Sequence, residues 1–358
     1  MAKLHETLQQ NIKSRNARTL ENQSPGWLRN CRLNASYINR EMLNRPLDLT
    51  AYQFPPNKDL SKAVIIGSGP SLRHMKRDHL LSLNQYLIVA TPTNISWAFS
   101  VGLIPDILVV ADSHSDHVKD LASLTPLLDE HNVTLLTSPI THPEVLHVCH
   151  PRIYFYKAFM QQNDGTLHLP YNHFLNLLYD NLQTYIVQAG SVTNQAVLLM
   201  EKFRHEKLIP LSHIYLLGCD YCLDEPHDRI PIYIYDDETA SFYERPSARP
   251  NPFNKPQELI KHGPYITNVS MLMYKISLMV MWKSMSLPLF RIGRYGMLDE
   301  IPHTSIRSLA HNRHPDMYPE AIMNKALNKF WNSPEPEPVQ PSPPVAADPT
   351  TTGTADAQ

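Results

Sequence analysis

The sequence predicts an α/β fold, a Rossmann-like, mostly parallel sheet with helices on both faces, and three observations carry that expectation. Between Lys62 and about Pro226, short β-branched runs alternate with stretches of helical spacing. Most of the runs are nearly continuous in apolar residues, as strands buried on both faces require. The first of them, Val64-Ile65-Ile66, is followed at once by Gly67-Ser68-Gly69-Pro70-Ser71, a turn leading toward a helix.

Residues 1–58 form an N-terminal helical extension: polar, helical in its first third, with Trp27, Leu28, Tyr37 and Ile38 able to dock on something larger. Pro55-Pro56 closes it. The α/β domain is expected over residues 59–300. Its strands are expected at Ala63 to Ile66, Tyr86 to Thr91, Asp106 to Ala111, Val133 to Thr137, Ile153 to Tyr156 and His213 to Leu217. Helical spacing occupies Ser71 to Leu83, Ile95 to Val101, His117 to Leu128 and Ser191 to Phe203. A late Met-rich helix spans Ile266 to Met285, its methionines serving as gap-filling core. Asp224 to Pro256, rich in Pro, Tyr, Asp and Arg, has little periodicity and reads as a lid or binding loop. A C-terminal helical segment is expected over 301–332, and the Pro-, Ala- and Thr-rich residues 333–358 read as a disordered tail.

With 358 residues, 42% of them hydrophobic, the chain can bury a full core. The formal net charge of −2 supplies no global field for nucleic acid or an anionic membrane, so partners must be sought at local sites. No stretch of about 18 apolar residues and no apolar leader core is present, which predicts a cytoplasmic protein without a membrane span. Four cysteines fit a reducing compartment, and Cys219-x-x-Cys222 reads as buried core rather than as a zinc or redox half-site. Nothing in the sequence sets the oligomeric state.

The chemistry is expected at the glycine turn. Gly67 and Gly69 permit close backbone approach, Pro70 suits a first helical turn, and N–H groups at Ser71 would face an anion. The third glycine of a dinucleotide fingerprint is missing and no Gly-Lys-Ser/Thr follows, which disfavours nicotinamide and P-loop enzymes. Two further strands end in carboxylates, at Asp112 and at Gly218-Cys219-Asp220. Gly190-Ser191 opens a helix with a second set of free amides. In open α/β sheets such strand ends gather around the ligand. On this reading, replacing Gly69 by Val would abolish ligand binding and leave the fold largely intact.

The order Gly67-Ser-Gly-Pro-Ser-Leu72, Gly102-Leu-Ile-Pro-Asp-Ile-Leu-Val-Val-Ala-Asp112, Gly190-Ser-Val192 and Ile214-Tyr-Leu-Leu-Gly-Cys-Asp220 resembles the 6-hydroxymethylpterin diphosphokinase MptE-like family. That family includes the motility-associated factor (Maf) glycosyltransferase-like proteins. The glycine turn and the Gly-Ser-Val plus Gly-x-Asp pair are also similar to bacterial sialyltransferases that use CMP-activated sugars. The resemblance covers roughly residues 60 to 300. It implies a nucleotide on the glycine turn, with Thr93 or Asn94 near the base or ribose. It also implies a functional histidine at His227, and Gly263, Thr267 and Tyr274 fit a later Gly, Thr and Tyr pattern, the latter two as substrate contacts. The chain departs from its relatives at Arg291-Ile-Gly-Arg-Tyr-Gly296, where many carry an Asn-Ser-Glu-Gly-like segment, and in a less acidic Asp112-to-Asp116 stretch than archaeal diphosphokinases.

Three functions follow as alternatives. In glycosyl transfer from a CMP-type sugar, helix starts at Ser71 and Ser191 would stabilise the departing phosphate, with His227 as general base. In diphosphate transfer from ATP to a pterin, Asp112, Asp116 and Asp220 would hold a divalent ion such as Mg2+. The third is nucleotide or sugar binding without turnover. The acceptor would be a sugar, a protein or a pterin, and no tightly bound cofactor is expected.

Overall fold

A computed structural model of the chain describes residues 25–111, 113–148, 151–160, 168–223, 229–250, 259–262, 264–310 and 337–338. A helix over residues 25–42, α1, leads to β1 (Asp59–Ile66). Then come α2 (Arg77–Leu81), β2 (Tyr86–Ala90), α3 (Ile95–Ser100), β3 (Ile107–Val110), α4 (Asp116–Ala122), α5 (Thr125–Glu130), β4 (Thr134–Thr137) and β5 (Ile153–Phe155). The chain continues through β6 (Lys157–Phe159), α6 (Leu169–Leu178), β7 (Tyr185–Val187), α7 (Val192–His205), β8 (His213–Leu217), β9 (Arg229–Asp236) and β10 (Ser241–Pro250). The last elements are β11 (Leu259–His262), β12 (Tyr265–Asn268), α8 (Val269–Ser284), β13 (Leu289–Ile292), β14 (His303–Thr304), α9 (Ile306–Ala310) and β15 (Glu337–Pro338).

The central sheet has eight described strands in the order β14-β13-β8-β1-β2-β3-β4-β5, and every neighbouring pair is parallel. This is the α/β class expected from the unbroken apolar runs. Because successive side chains on a strand point to opposite faces, β1 feeds two cores. Ala63 and Ile65 face a layer containing α1, α7 and α8, with Cys31, Phe203 and Trp282 buried in it. Val64 and Ile66 face a second layer built from Leu72, Leu80, Trp97 and Leu309. The chain leaving β1 crosses into the second layer, whereas α8, which follows β8, packs in the first. The neighbours β1 and β8 therefore diverge, and their carboxyl ends frame the crevice where such sheets bind ligands.

Some elements differ from expectation. The helix expected over Ser71 to Leu83 is a 3-10 turn (Pro70–His74), then α2, then a second 3-10 turn (Ser82–Gln85). Met75 and Lys76 between them are extended, yet Leu72, Leu80 and Leu83 are all buried, so the apolar spacing survives a break it cannot reveal. His117 to Leu128 is likewise two helices, α4 and α5, divided just before Pro126, which has no N–H for the preceding turn. Within Asp224 to Pro256, residues 229–250 form an antiparallel hairpin, β9 with β10, in place of the expected irregular loop. Ile230, Ile232 and Ile234 alternate with Pro and Tyr there, and Asp236 closes the turn by accepting from Glu238 N at 3.1 Å and Thr239 Oγ1 at 2.7 Å. The late helix starts at Val269 because Tyr265–Asn268 pairs as β12 with β11.

The N-terminal helix is integral to the core. Cys31 and Ile38 are fully buried, and the side-chain amides of Asn30 and Asn34 donate to carbonyls of Ser113, Pro139, Ile140 and Thr141 at 2.9–3.1 Å. At the other end, Glu337 and Pro338 pair with β11; the rest of 333–358 lies outside the described residues. No helix among the described residues is long and apolar enough to cross a membrane.

Candidate functional site

The loops after β1 and β8 meet at the crevice. Gly67 N donates to Leu217 O and Gly69 N to Gly218 O, both at 2.7 Å. The two glycines are needed because the loops touch each other. A β-carbon at Gly67 would lie 2.4 Å from Gly218 O, and one at Gly69 would lie 2.3 Å from Asp220 Oδ2. Gly218 itself has φ +68, the left-handed region that favours glycine.

Asp220 is buried and both of its oxygens are engaged by Ser71: the amide donates to Oδ2 at 2.7 Å and the hydroxyl to Oδ1 at 2.9 Å. Burial pushes its carboxyl up to about 6 against the opposing pull of the Ser71 bonds and the Arg291 charge. This geometry corrects the expectation that Ser71 offers a free amide to a ligand. The five-residue 3-10 turn opening at Pro70 is also too short to carry the dipole of an α-helix start. Among the described residues, Ser68 N is the one amide of Gly67–Ser71 that donates to no protein acceptor, and Ser68 Oγ meets Thr93 Oγ1 from the loop after β2.

Thr93 is half-buried at this edge. Asn94 is buried and spent within the protein. Its Oδ1 accepts from Thr91 N at 3.0 Å and its Nδ2 donates to Thr91 Oγ1 at 2.7 Å and to Ile66 O. Of the two, Thr93 is the residue that faces the glycine turn.

Tyr221, next to Asp220, gathers the remaining motifs. Its hydroxyl donates to Asn194 Oδ1 at 2.6 Å, and its carbonyl accepts from Thr267 Oγ1 at 2.9 Å. Asn194 lies in the first turn of α7 and donates through Nδ2 to Tyr274 O at 2.9 Å. Gly190, at φ +81, turns the chain into that helix, where a β-carbon would come within 3.5 Å of the Tyr274 ring. Ser191 is its N-cap, Oγ accepting from Asn194 N at 3.1 Å. The amides of Val192 and Thr193 have no described acceptor, as the first turn of a helix dictates, and both residues are half-buried. Gly190, Ser191, Thr267 and Tyr274 are thus drawn to Gly218 and Asp220 through one tyrosine that sequence reasoning did not single out. A non-glycine residue at φ +54 immediately after Gly-x-Asp gives no sequence signal.

His227 and Asp112 lie outside the described residues, as does Gly263. Asp116 occupies the first turn of α4. Among the described residues no three His, Cys, Asp or Glu side chains group so as to hold a metal ion, and the Asp220 carboxylate is committed to Ser71. Cys219 and Cys222 are buried free thiols, their ionisation pushed up by burial.

Among solved structures, the chain is similar to the MAf glycosyltransferase from Magnetospirillum magneticum AMB-1, with 14% identity and a TM-score of 0.48. The similarity covers 80% of this chain but 39% of that one, so the chain spans well under half of its length. No curated protein matches the sequence. A family model described as 6-hydroxymethylpterin diphosphokinase MptE-like matches residues 39–226, more than half the chain, from α1 to just past the Gly-x-Asp turn. The glycine turn, the Gly-Ser-Val helix start and Asp220 all fall inside that span, and the chain belongs to the MptE-like family.

Proposed function

We propose that this protein is a nucleotide-dependent transferase, and that the group it transfers is a glycosyl unit from a CMP-type sugar. Membership of a family described by a diphosphokinase supports group transfer from a nucleotide. The observation that carries the reading is the turn Asp220-Tyr221, which is bonded to the glycine turn, to the start of α7 and to Thr267 at the carboxyl rim of a parallel sheet.

In this mechanism the nucleotide phosphate lies against the Val192 and Thr193 amides, with Ser68 and Thr93 at its edge. The acceptor hydroxyl attacks the anomeric carbon, and the bond from that carbon to the phosphate oxygen breaks. Charge growing on the departing phosphate meets amides already oriented by the Ser191 cap, so little reorganisation is needed. The acceptor proton passes to His227, an imidazole suited to that task near neutral pH. Tyr274 contacts the substrate; Thr267, fully buried and bonded to Tyr221 O, supports the turn rather than touching the ligand, and Asp220 positions the glycine turn through Ser71.

Diphosphate transfer from ATP is the second reading, favoured by the family's description. It calls for a divalent ion, for which Asp112, Asp116 and Asp220 are the candidate ligands, and Asp220 would have to give up its bonds to Ser71 to serve.

The test is turnover of the purified chain with CMP-sugars and with ATP, each with and without magnesium. The expected outcome is transfer or hydrolysis of the CMP-sugar independent of magnesium. His227→Ala should lower the rate by roughly 10²–10⁴-fold while sparing nucleotide affinity. Full turnover in that variant removes His227 as the base, and magnesium-dependent turnover of ATP alone replaces the first reading by the second.

A further inference from the structure

His74, Tyr265 and Tyr295 gather at the same rim without serving either core. The Tyr295 ring lies 5.1 Å from that of Tyr265, edge to face at 68°, and 5.6 Å from the His74 ring, tilted by 44°. Both tyrosines are only half-buried, neither belongs to a hydrophobic cluster, and His74 is exposed. Aromatic rings kept at a surface forgo the stabilisation that burial would bring, so packing does not account for the group.

Each ring arrives on a segment fastened to the Gly-x-Asp turn. His74 ends the 3-10 turn whose Ser71 is bound to Asp220. Tyr265 precedes Ile266, which exchanges backbone bonds with Leu223 at 2.7 and 3.2 Å. Tyr295 lies between Gly293 and Gly296, at φ +87 and +96; a β-carbon at Gly296 would fall 2.8 Å from Asp220 Cα, and Met297 N donates to Asp220 O at 2.9 Å. The Arg291–Gly296 segment, held against Asp220 at Gly296, is what delivers the Tyr295 ring.

We propose that these three side chains form a stacking subsite for a planar heteroaromatic ring of the substrate, a nucleobase or a pterin. Such rings stack on aromatic side chains with little regard to sequence or substituents. The inference rests on the nucleotide reading above and goes further by assigning the ring to side chains carried on segments fastened to the Asp220 turn.

The test is calorimetric titration of the full chain and its Tyr295→Ala, Tyr295→Phe and His74→Ala variants with CMP, ATP, 6-hydroxymethylpterin and ribose 5-phosphate. Tyr295→Ala should weaken the ring-bearing ligands roughly tenfold and His74→Ala a few-fold, Tyr295→Phe should match the parent, and ribose 5-phosphate should be unaffected. Loss confined to CMP or ATP assigns the subsite to the nucleobase, and loss confined to the pterin assigns it to the acceptor. Unchanged affinity in both Tyr295→Ala and the exposed His74→Ala, or an equal loss for ribose 5-phosphate, overturns the subsite. A parent chain that binds the pterin but neither nucleotide overturns the nucleotide reading alone, and one that binds no ring overturns both.

Discussion

Any β-carbon at position 69 would lie 2.3 Å from Asp220 Oδ2 and 2.5 Å from its Cγ, and this carboxylate cannot swing away without releasing Ser71. Gly69→Val should therefore destabilise the fold by on the order of 3 kcal/mol, through overpacking and lost charged hydrogen bonds. A urea midpoint equal to the parent's would refute that. The expectation that this substitution spares the fold took the glycine to face a ligand, whereas it faces another loop. Asp220 also makes a pH prediction. Its carboxyl is raised from 3.8 to about 6, so between those values the unfolded chain ionises while the folded chain stays protonated. Stability should then fall as pH rises through this window and level off above it. Asp220→Asn keeps an acceptor for Ser71 N and removes the titration, so its thermal midpoint should lack that component of decline between pH 4 and 6. Parallel curves for the two proteins would contradict the assignment.

The helix α7 combines two tasks at one end, and substitution can separate them. Ser191→Ala removes the bond to Asn194 N and should cost about 1 kcal/mol in chemical denaturation. Ser191→Asp caps equally well but places a negative charge beside the Val192 and Thr193 amides. It should keep the denaturation midpoint and weaken nucleotide binding, and unchanged affinity would remove this helix start as the phosphate site. Strands and long helices were legible because burial on both faces leaves continuous apolar runs and because Gly190-Ser191 is a strong start signal. The β9–β10 hairpin was not. Its prolines and tyrosines hid the isoleucine alternation, and what holds it is side-chain contact across the fold: Arg73 reaches Glu244 at 2.8 Å and the Tyr233 ring at 5.4 Å, while Arg77 bonds Asp237 and lies 5.3 Å from the Tyr235 ring. Pairings of that kind have no periodicity to read.

For the whole molecule, the fold class could be read but not the strand order. That β8 lies beside β1, and so brings Asp220 to the glycine turn, depends on which crossovers the chain makes, and apolar runs are alike in this respect. The motifs themselves were visible one by one. Their convergence through Tyr221 was not, since a tyrosine that accepts from Thr267 and donates to Asn194 looks like any other in the sequence. The match to the family ends at residue 226, yet β12, α8, β13 and β14 complete the sheet and its rim beyond that point. The bond between Ser71 and Asp220 closes a separation of 149 residues. During synthesis, then, the first half of the site leaves the ribosome long before its counterpart exists, and the bond from Ser71 cannot form until the chain beyond β8 has emerged. Loop closure on that scale slows folding, so the centre assembles late, as a product of the finished sheet rather than a seed for it.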